Sequence, residues 1–150
     1  MPNFTPRESL TVKDTDKQAD VLFIEDQNML RLLAREAFGF EGISAVFAAD
    51  GCEAMTYFDK VVADSTLTPR IVFLDIVLPC IDGHQVYTQL CQEPYRSRLT
   101  NTTIVITSAD QQALTLPDGL LQTRVLYKPY EVGGLIDMIR SIAPDLFAKL

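Results

Sequence analysis

Five short apolar runs, rich in β-branched and aromatic residues, alternate along the chain with stretches of helical periodicity. The first is Asp20-Val21-Leu22-Phe23-Ile24, which stops at Glu25-Asp26. The others are Ile43 to Ala48, Ile71 to Leu74, Thr102 to Thr107 and the short Arg124 to Tyr127. Runs of this length between polar residues and turn formers predict strands buried on both faces. Between the first two, Leu30, Leu33, Ala34, Ala37 and Phe38 fall at helical spacing, and Gly39 and Gly42 close that helix. Asp50 opens a second helix, with Glu53 placed to reach back as in a capping box and Ala54, Phe58 and Val61 on its inner face. Val86, Leu90 and Cys91 line a third, ended by Pro94, and Leu135, Met138, Ile139 and Ile142 a last one. Ala109 to Thr123 is irregular: Gln111 to Leu114 suit a helix, but Pro117 and Gly119 interrupt it.

Strands alternating with helices predict an α/β fold, a parallel sheet covered on both faces. Right-handed crossovers make it doubly wound. Residues 1–19 are polar and read as a flexible leader, residues 20–143 as one domain, and residues 144–150 as a short tail. Net charge is −7, with no basic stripe, which argues against a nucleic-acid surface. No apolar run approaches the roughly 20 residues that span a bilayer, and the expected setting is cytoplasmic. Cys52, Cys80 and Cys91 are too few and scattered for a disulfide framework or a zinc site, so reduced thiols are expected.

The chemistry gathers at the carboxyl ends of the runs, the edge where open α/β sheets bind ligands. The first run ends in Glu25 and Asp26, the third in Asp75, the fourth in Thr107-Ser108, the fifth in Lys128-Pro129. Three carboxylates meeting in one cleft repel one another unless a cation compensates. Mg²⁺, which takes one or two carboxylates together with phosphate oxygens and water, suits such a set. With a hydroxyl and an ammonium facing the same point, these are parts for holding a phosphoryl group on a carboxylate, with Asp75 as nucleophile and Lys128 on another oxygen. Other polar residues nearby have plainer readings. His84 is a solvated helix residue, Asp82 a turn former before Gly83, Ser108 strand-end polarity or a small gate beside the site, and Cys80 an exposed loop thiol with a redox switch as its minor alternative.

From about Asp20 to about Ile142 the chain resembles the receiver domain of two-component response regulators. The resemblance is carried by Ile24-Glu25-Asp26, by Leu74-Asp75-Ile76-Val77-Leu78-Pro79 with Asp82-Gly83, by Ile106-Thr107-Ser108, and by Lys128-Pro129. It implies a five-stranded sheet of order 2-1-3-4-5, an arrangement for which a receiver protein is a standard example. It implies phosphorylation of Asp75 by a phosphohistidine on a sensor histidine kinase or a histidine phosphotransfer protein. It also implies Mg²⁺ bound directly by Asp26, Asp75 and the Val77 carbonyl, with Glu25 acting through water. Thr107 would turn toward the phosphoryl oxygens, and Lys128, next to a cis proline bond, would pair with Asp75 or its phosphate. Such a chain is a switch that phosphorylates and dephosphorylates itself, not a conventional enzyme, and signals to a separate protein target without touching nucleic acid or membrane.

The chain departs from the family pattern in two places. The usual switch aromatic, three residues before the lysine, is Val125 here, and Tyr127 lies one residue before it. Leu116-Pro117-Asp118-Gly119 also interrupts the helix that often carries the output face. The expectation is a phosphoryl site with output through another surface, or onward phosphotransfer. Three rivals fit less well. A haloacid-dehalogenase-type phosphatase needs an acid where Val77 stands. A flavodoxin-like flavin binder needs a phosphate-friendly first loop where Glu25-Asp26-Gln27-Asn28 stands. A receiver-shaped interaction module working without phosphorylation has no need of a complete set of site residues.

Overall fold

The computed structural model describes residues 18–109 and 121–147. Each apolar run becomes a strand: β1 (Val21–Ile24), β2 (Ala45–Ala48), β3 (Ile71–Asp75), β4 (Thr103–Ser108) and β5 (Gln122–Tyr127). The helices are α1 (Asn28–Glu41), α2 (Gly51–Ala63), α3 (Gly83–Leu90), the one-turn α4 (Tyr95–Arg98) and α5 (Val132–Ile142). All strand pairs are parallel, in the order β2-β1-β3-β4-β5 that the resemblance implies. The leader's residues 1–17 and the interrupted segment with Leu116-Pro117-Asp118-Gly119 lie outside the described residues.

Alternation along the strands divides the core into two layers. On one face Val21, Phe23, Phe47, Ile71, Phe73 and Val105 pack with Ala34 and Phe38 of α1 and with Leu135, Ile136 and Ile139 of α5. Phe23 is central, its ring centroid 5.8 Å from those of Phe38 and Phe47 and 5.5 Å from that of Phe73. On the other face Leu22, Ile24, Val72, Leu74, Ile104 and Ile106 pack with Tyr57, Phe58 and Val61 of α2 and with Val86, Tyr87 and Leu90 of α3. Every residue of β1, β3 and β4 is buried, so the central strands are covered on both faces, apolar along their middles with polar residues at the ends of β3 and β4.

Several boundaries differ from the sequence pattern for local reasons. Gly42, with φ of 75°, ends α1 in the left-handed region, and the Ile43 amide donates back to the Phe38 carbonyl at 2.8 Å. Ile43 is thus spent on the helix cap and β2 starts at Ala45. The strand β5 begins two residues before Arg124, because an edge strand with one partner tolerates the outward-facing Gln122 and Arg124. At α2, Asp50 caps the Glu53 amide at 2.8 Å, while the Glu53 carboxylate reaches the amide of Ala49 rather than that of Asp50. Asp82 does more than turn the chain: with Gln85 it forms the full capping box of α3. After α5, Pro144–Phe147 forms a 3₁₀ turn that buries Leu146 and pairs Asp145 with both arms of the Arg70 guanidinium.

The cysteine expectation is corrected. Cys52 and Cys80 form a disulfide, with their Cα atoms 5.8 Å apart, while Cys91 is free and buried. Residues 28 positions apart in sequence meet because the first turn of α2 and the loop after β3 lie at the same end of the sheet. Among the described residues, no helix is long and apolar enough to cross a membrane.

Candidate functional site

Parallel pairing aligns the carboxyl ends of β1, β3, β4 and β5 along one edge, and the four sequence motifs come together there. Asp75 is the last residue of β3, only 3% exposed, and sits in register with Thr107, itself buried at the end of β4. The backbone of Ile76, immediately after Asp75, is held on two sides. The Ile76 amide donates to the Thr107 carbonyl at 3.2 Å, and the Gly83 amide donates to the Ile76 carbonyl at 2.8 Å. A Cβ on Gly83 would lie 2.2 Å from the Asp75 carbonyl oxygen, so the first turn of α3 can press on the strand end only where no side chain exists.

Glu25, Asp26 and Asp75 present carboxylate oxygens that all lie within 4.8 Å of one another. Asp26 is exposed, whereas Glu25 is only 1% exposed. Burial pushes the Glu25 carboxyl up to about 7; Asp75 adds to the rise, and the adjacent Lys128 ammonium opposes it. The Glu25 Oε2 accepts from the Gln27 amide at 3.2 Å. Its Oε1 is buried and accepts no hydrogen bond of good geometry, although the Lys128 ammonium lies 2.9 Å away. That oxygen and the crowding of three acids fit a cation-binding pocket rather than a settled structural network.

Lys128 bridges the acids. Its Nζ donates to Asp75 Oδ2 at 3.0 Å while contacting Glu25 Oε1. Burial alone would lower the lysine, but the hydrogen bonds and charges of Glu25 and Asp75 outweigh it and hold its pKa above the usual value. The Lys128 amide extends the β4–β5 ladder by donating to the Ser108 carbonyl at 2.8 Å, and the Lys128-Pro129 bond is cis. Val77 has an exposed side chain, and its amide donates to Asp75 Oδ1 at 3.2 Å, which sets the residue over the acid.

Three further groups escaped the sequence reading. Arg31 of α1 donates to the Glu25 carbonyl at 2.7 Å and to Asn28 Oδ1, tying the acidic loop to the helix behind it. Gln27 supplies the amide on Glu25. Tyr130 lies two residues beyond Lys128, and burial and the charges of Glu25 and Asp75 raise its phenol well above its ordinary pKa. With Gln27, Leu30, Ala109, Lys128 and Pro129 it lines a cleft of about 380 Å³ beside the acids. An aromatic so near the lysine was the available signal for Tyr130; Arg31 sits on a helix face and offered none. His84 is half-buried on α3, and Ser108 contributes its carbonyl to the lysine. Tyr127 shares the Val125 face of β5, the face on which Thr123 meets the Tyr87 hydroxyl at 2.7 Å. Its ring is 39% exposed.

Comparison with known proteins identifies the family and agrees with the fold. The family model described as the response regulator receiver domain matches residues 21–140. The transcriptional regulatory protein TrcR of Mycobacterium tuberculosis is 29% identical over 124 residues, covering 81% of this chain and 44% of that protein. The sensory transduction protein RegX3 of Mycobacterium bovis is 31% identical, covering 81% and 49%. This chain thus spans about half the length of these relatives. Protein PilG of Pseudomonas aeruginosa is 24% identical, with 87% of this chain and 93% of PilG aligned. Among solved structures, the chemotaxis response regulator CheY4 of Vibrio cholerae superposes with a TM-score of 0.65 at 19% identity, covering 84% of this chain and 99% of its own. A CheY-like receiver from Methanospirillum hungatei JF-1 gives 0.64 at 20% identity, covering 87% and 98%. The family model covers most of the chain, the sheet order is that of the similar solved receivers' fold, and the chain belongs to the response regulator receiver domain family of two-component systems.

Proposed function

We infer that this receiver accepts a phosphoryl group on Asp75 in a Mg²⁺-dependent reaction and signals by the change that follows. The observation that carries the reading is the bridge itself: Lys128 Nζ 3.0 Å from Asp75 Oδ2, with Glu25 and Asp26 closing the acidic cluster. Asp26, Asp75 and the Val77 carbonyl would hold the metal directly and Glu25 through water. When bound, Mg²⁺ supplies neutralising charge for the phosphoryl oxygens.

The chain's own groups do the rest. An Asp75 carboxylate oxygen attacks phosphorus of a phosphohistidine, forming the acyl phosphate as the phosphorus–nitrogen bond breaks. The electron pair stays on the imidazole, which takes up a proton. The Lys128 ammonium follows a phosphoryl oxygen from its place on the free carboxylate, and the Thr107 hydroxyl donates to another. Water attack on phosphorus later returns the carboxylate and inorganic phosphate. The chain thereby turns over its own phosphate and acts as a switch rather than on an external substrate. The donor is a sensor histidine kinase or a histidine phosphotransfer protein, the setting is cytoplasmic, and the recipient of the signal is a separate protein. A two-state equilibrium biased through Thr107 and the surrounding loops carries the output.

The test is to incubate the wild type and Asp75→Asn with acetyl phosphate, with and without Mg²⁺, and weigh the intact chains. One added phosphoryl group in the wild type with Mg²⁺, absent from Asp75→Asn and after chelation, is expected. Equal masses throughout would leave a receiver-shaped module that works without phosphate.

A further inference from the structure

The loop that follows Asp75 carries Val77 over the acid and then crosses to the start of α2, where it is fastened three times. The Gly51 amide donates to the Pro79 carbonyl at 3.2 Å. Gly51 packs so tightly on Ile81 that a Cβ would lie 1.9 Å from the Ile81 carbonyl oxygen. The third fastening is covalent, Cys52 to Cys80. Cys80 has φ of 71°, a left-handed conformation that a non-glycine residue adopts only when its surroundings impose it. It is exposed, and Cys52 is partly so, which leaves the bond open to a small thiol. The bridge closes a chain segment that contains β2's neighbour α2, all of β3 and Asp75 itself.

We propose that Cys52–Cys80 is a reversible thiol–disulfide site that clamps the loop after Asp75 and makes the reactivity of this receiver depend on the surrounding thiol redox state. Its co-reactant is a low-molecular-weight thiol and the corresponding disulfide. A thiolate attacks the exposed Cys80 sulfur, and a new sulfur–sulfur bond forms as the old one breaks. The electron pair leaves on Cys52, which is protonated. A second thiolate attacks the outer sulfur of the mixed disulfide, releases Cys80 as a thiolate that takes a proton, and departs as the small disulfide. Two protein thiols and one small disulfide result, and the reverse sequence re-forms the bridge. With the bridge intact the 77–82 loop is held in register with the strand end. With it open, only the Gly51–Pro79 hydrogen bond and packing remain, and Cys80 is freed from its left-handed conformation.

The consequence for phosphorylation rests on the Asp75 reading above, but the clamp does not. The full chain is equilibrated in glutathione/glutathione disulfide mixtures and acid-quenched, its free thiols are alkylated in denaturant so that buried Cys91 reacts too, the chain is weighed, and amide exchange of the undenatured forms is followed over residues 77–82. Interconversion between one and three alkylated thiols is expected, as is about tenfold faster exchange of those amides in the reduced form. The reduced form, and Cys52→Ser/Cys80→Ser in any buffer, should also incorporate phosphoryl groups from acetyl phosphate several-fold more slowly. An unchanging count of alkylated thiols across the mixtures, whether one or three, or equal exchange in both forms, overturns the proposal. Equal labelling of both forms overturns the redox dependence. If neither form labels while exchange still differs, the failure belongs to the phosphorylation reading and the clamp stands.

Discussion

Lys128 touches two acids at once, and that sharing governs how the site responds to pH and mutation. Glu25 has an ordinary value of 4.5 and is pushed to about 7 in the fold, so the folded protein binds a proton more tightly than the unfolded chain. The resulting stabilisation is fully present below about 4.5 and lost as pH rises toward 7, roughly 2 kcal/mol after allowance for screening. Urea unfolding of metal-free protein at pH 5 and pH 8 should show this decline, and Glu25→Gln should flatten it. Lys128→Met removes the cation that orients Asp75 and should slow phosphoryl incorporation about 100-fold without unfolding the chain, as checked by mass and circular dichroism. The identities of Glu25, Asp26, Asp75 and Lys128 as a group were legible in the sequence, because each ends an apolar run. The lysine's second contact, to Glu25, was not, since a strand-end position gives an edge but no side-chain direction.

At the scale of elements, the site is exact where two of them meet without side chains between. The first residue of α3 is Gly83, pressed against the carbonyl of Asp75. Gly83→Ala must push helix and strand end apart and should cost about 2–3 kcal/mol in urea unfolding while lowering the labelling rate. Phe73→Ala, in the layer opposite α2, removes a ring from the cluster around Phe23 and should cost about 3–5 kcal/mol. The strands and their neighbouring helices could be read because short unbroken β-branched runs stand apart from the 3.6-residue spacing of the helices in this chain. Element ends were harder. Ile43 looks like a strand residue but caps α1, and the outward polar residues of β5 concealed its first turn of pairing.

The molecule as a whole brings distant positions together at one end of a parallel sheet, and this produces both the site and the bridge beside it. A disulfide spanning 28 positions restricts the unfolded chain, so Cys52→Ser/Cys80→Ser should lower unfolding stability by about 3 kcal/mol against the oxidised protein. Cysteine spacing could not foretell the pair, because pairing follows from tertiary approach and three cysteines leave every combination open. Sheet order, by contrast, followed once the strand-end residues were recognised as a set. The central claim is that this edge exists to carry a phosphoryl group on Asp75, and it is tested most directly by finding where the group goes. Protein treated with acetyl phosphate and Mg²⁺ is reduced with borohydride, which converts an acyl phosphate to the alcohol, and its peptides are sequenced by mass spectrometry. The account predicts homoserine at position 75 and nowhere else; modification at another carboxylate, or an unaltered Asp75 in labelled protein, would contradict it.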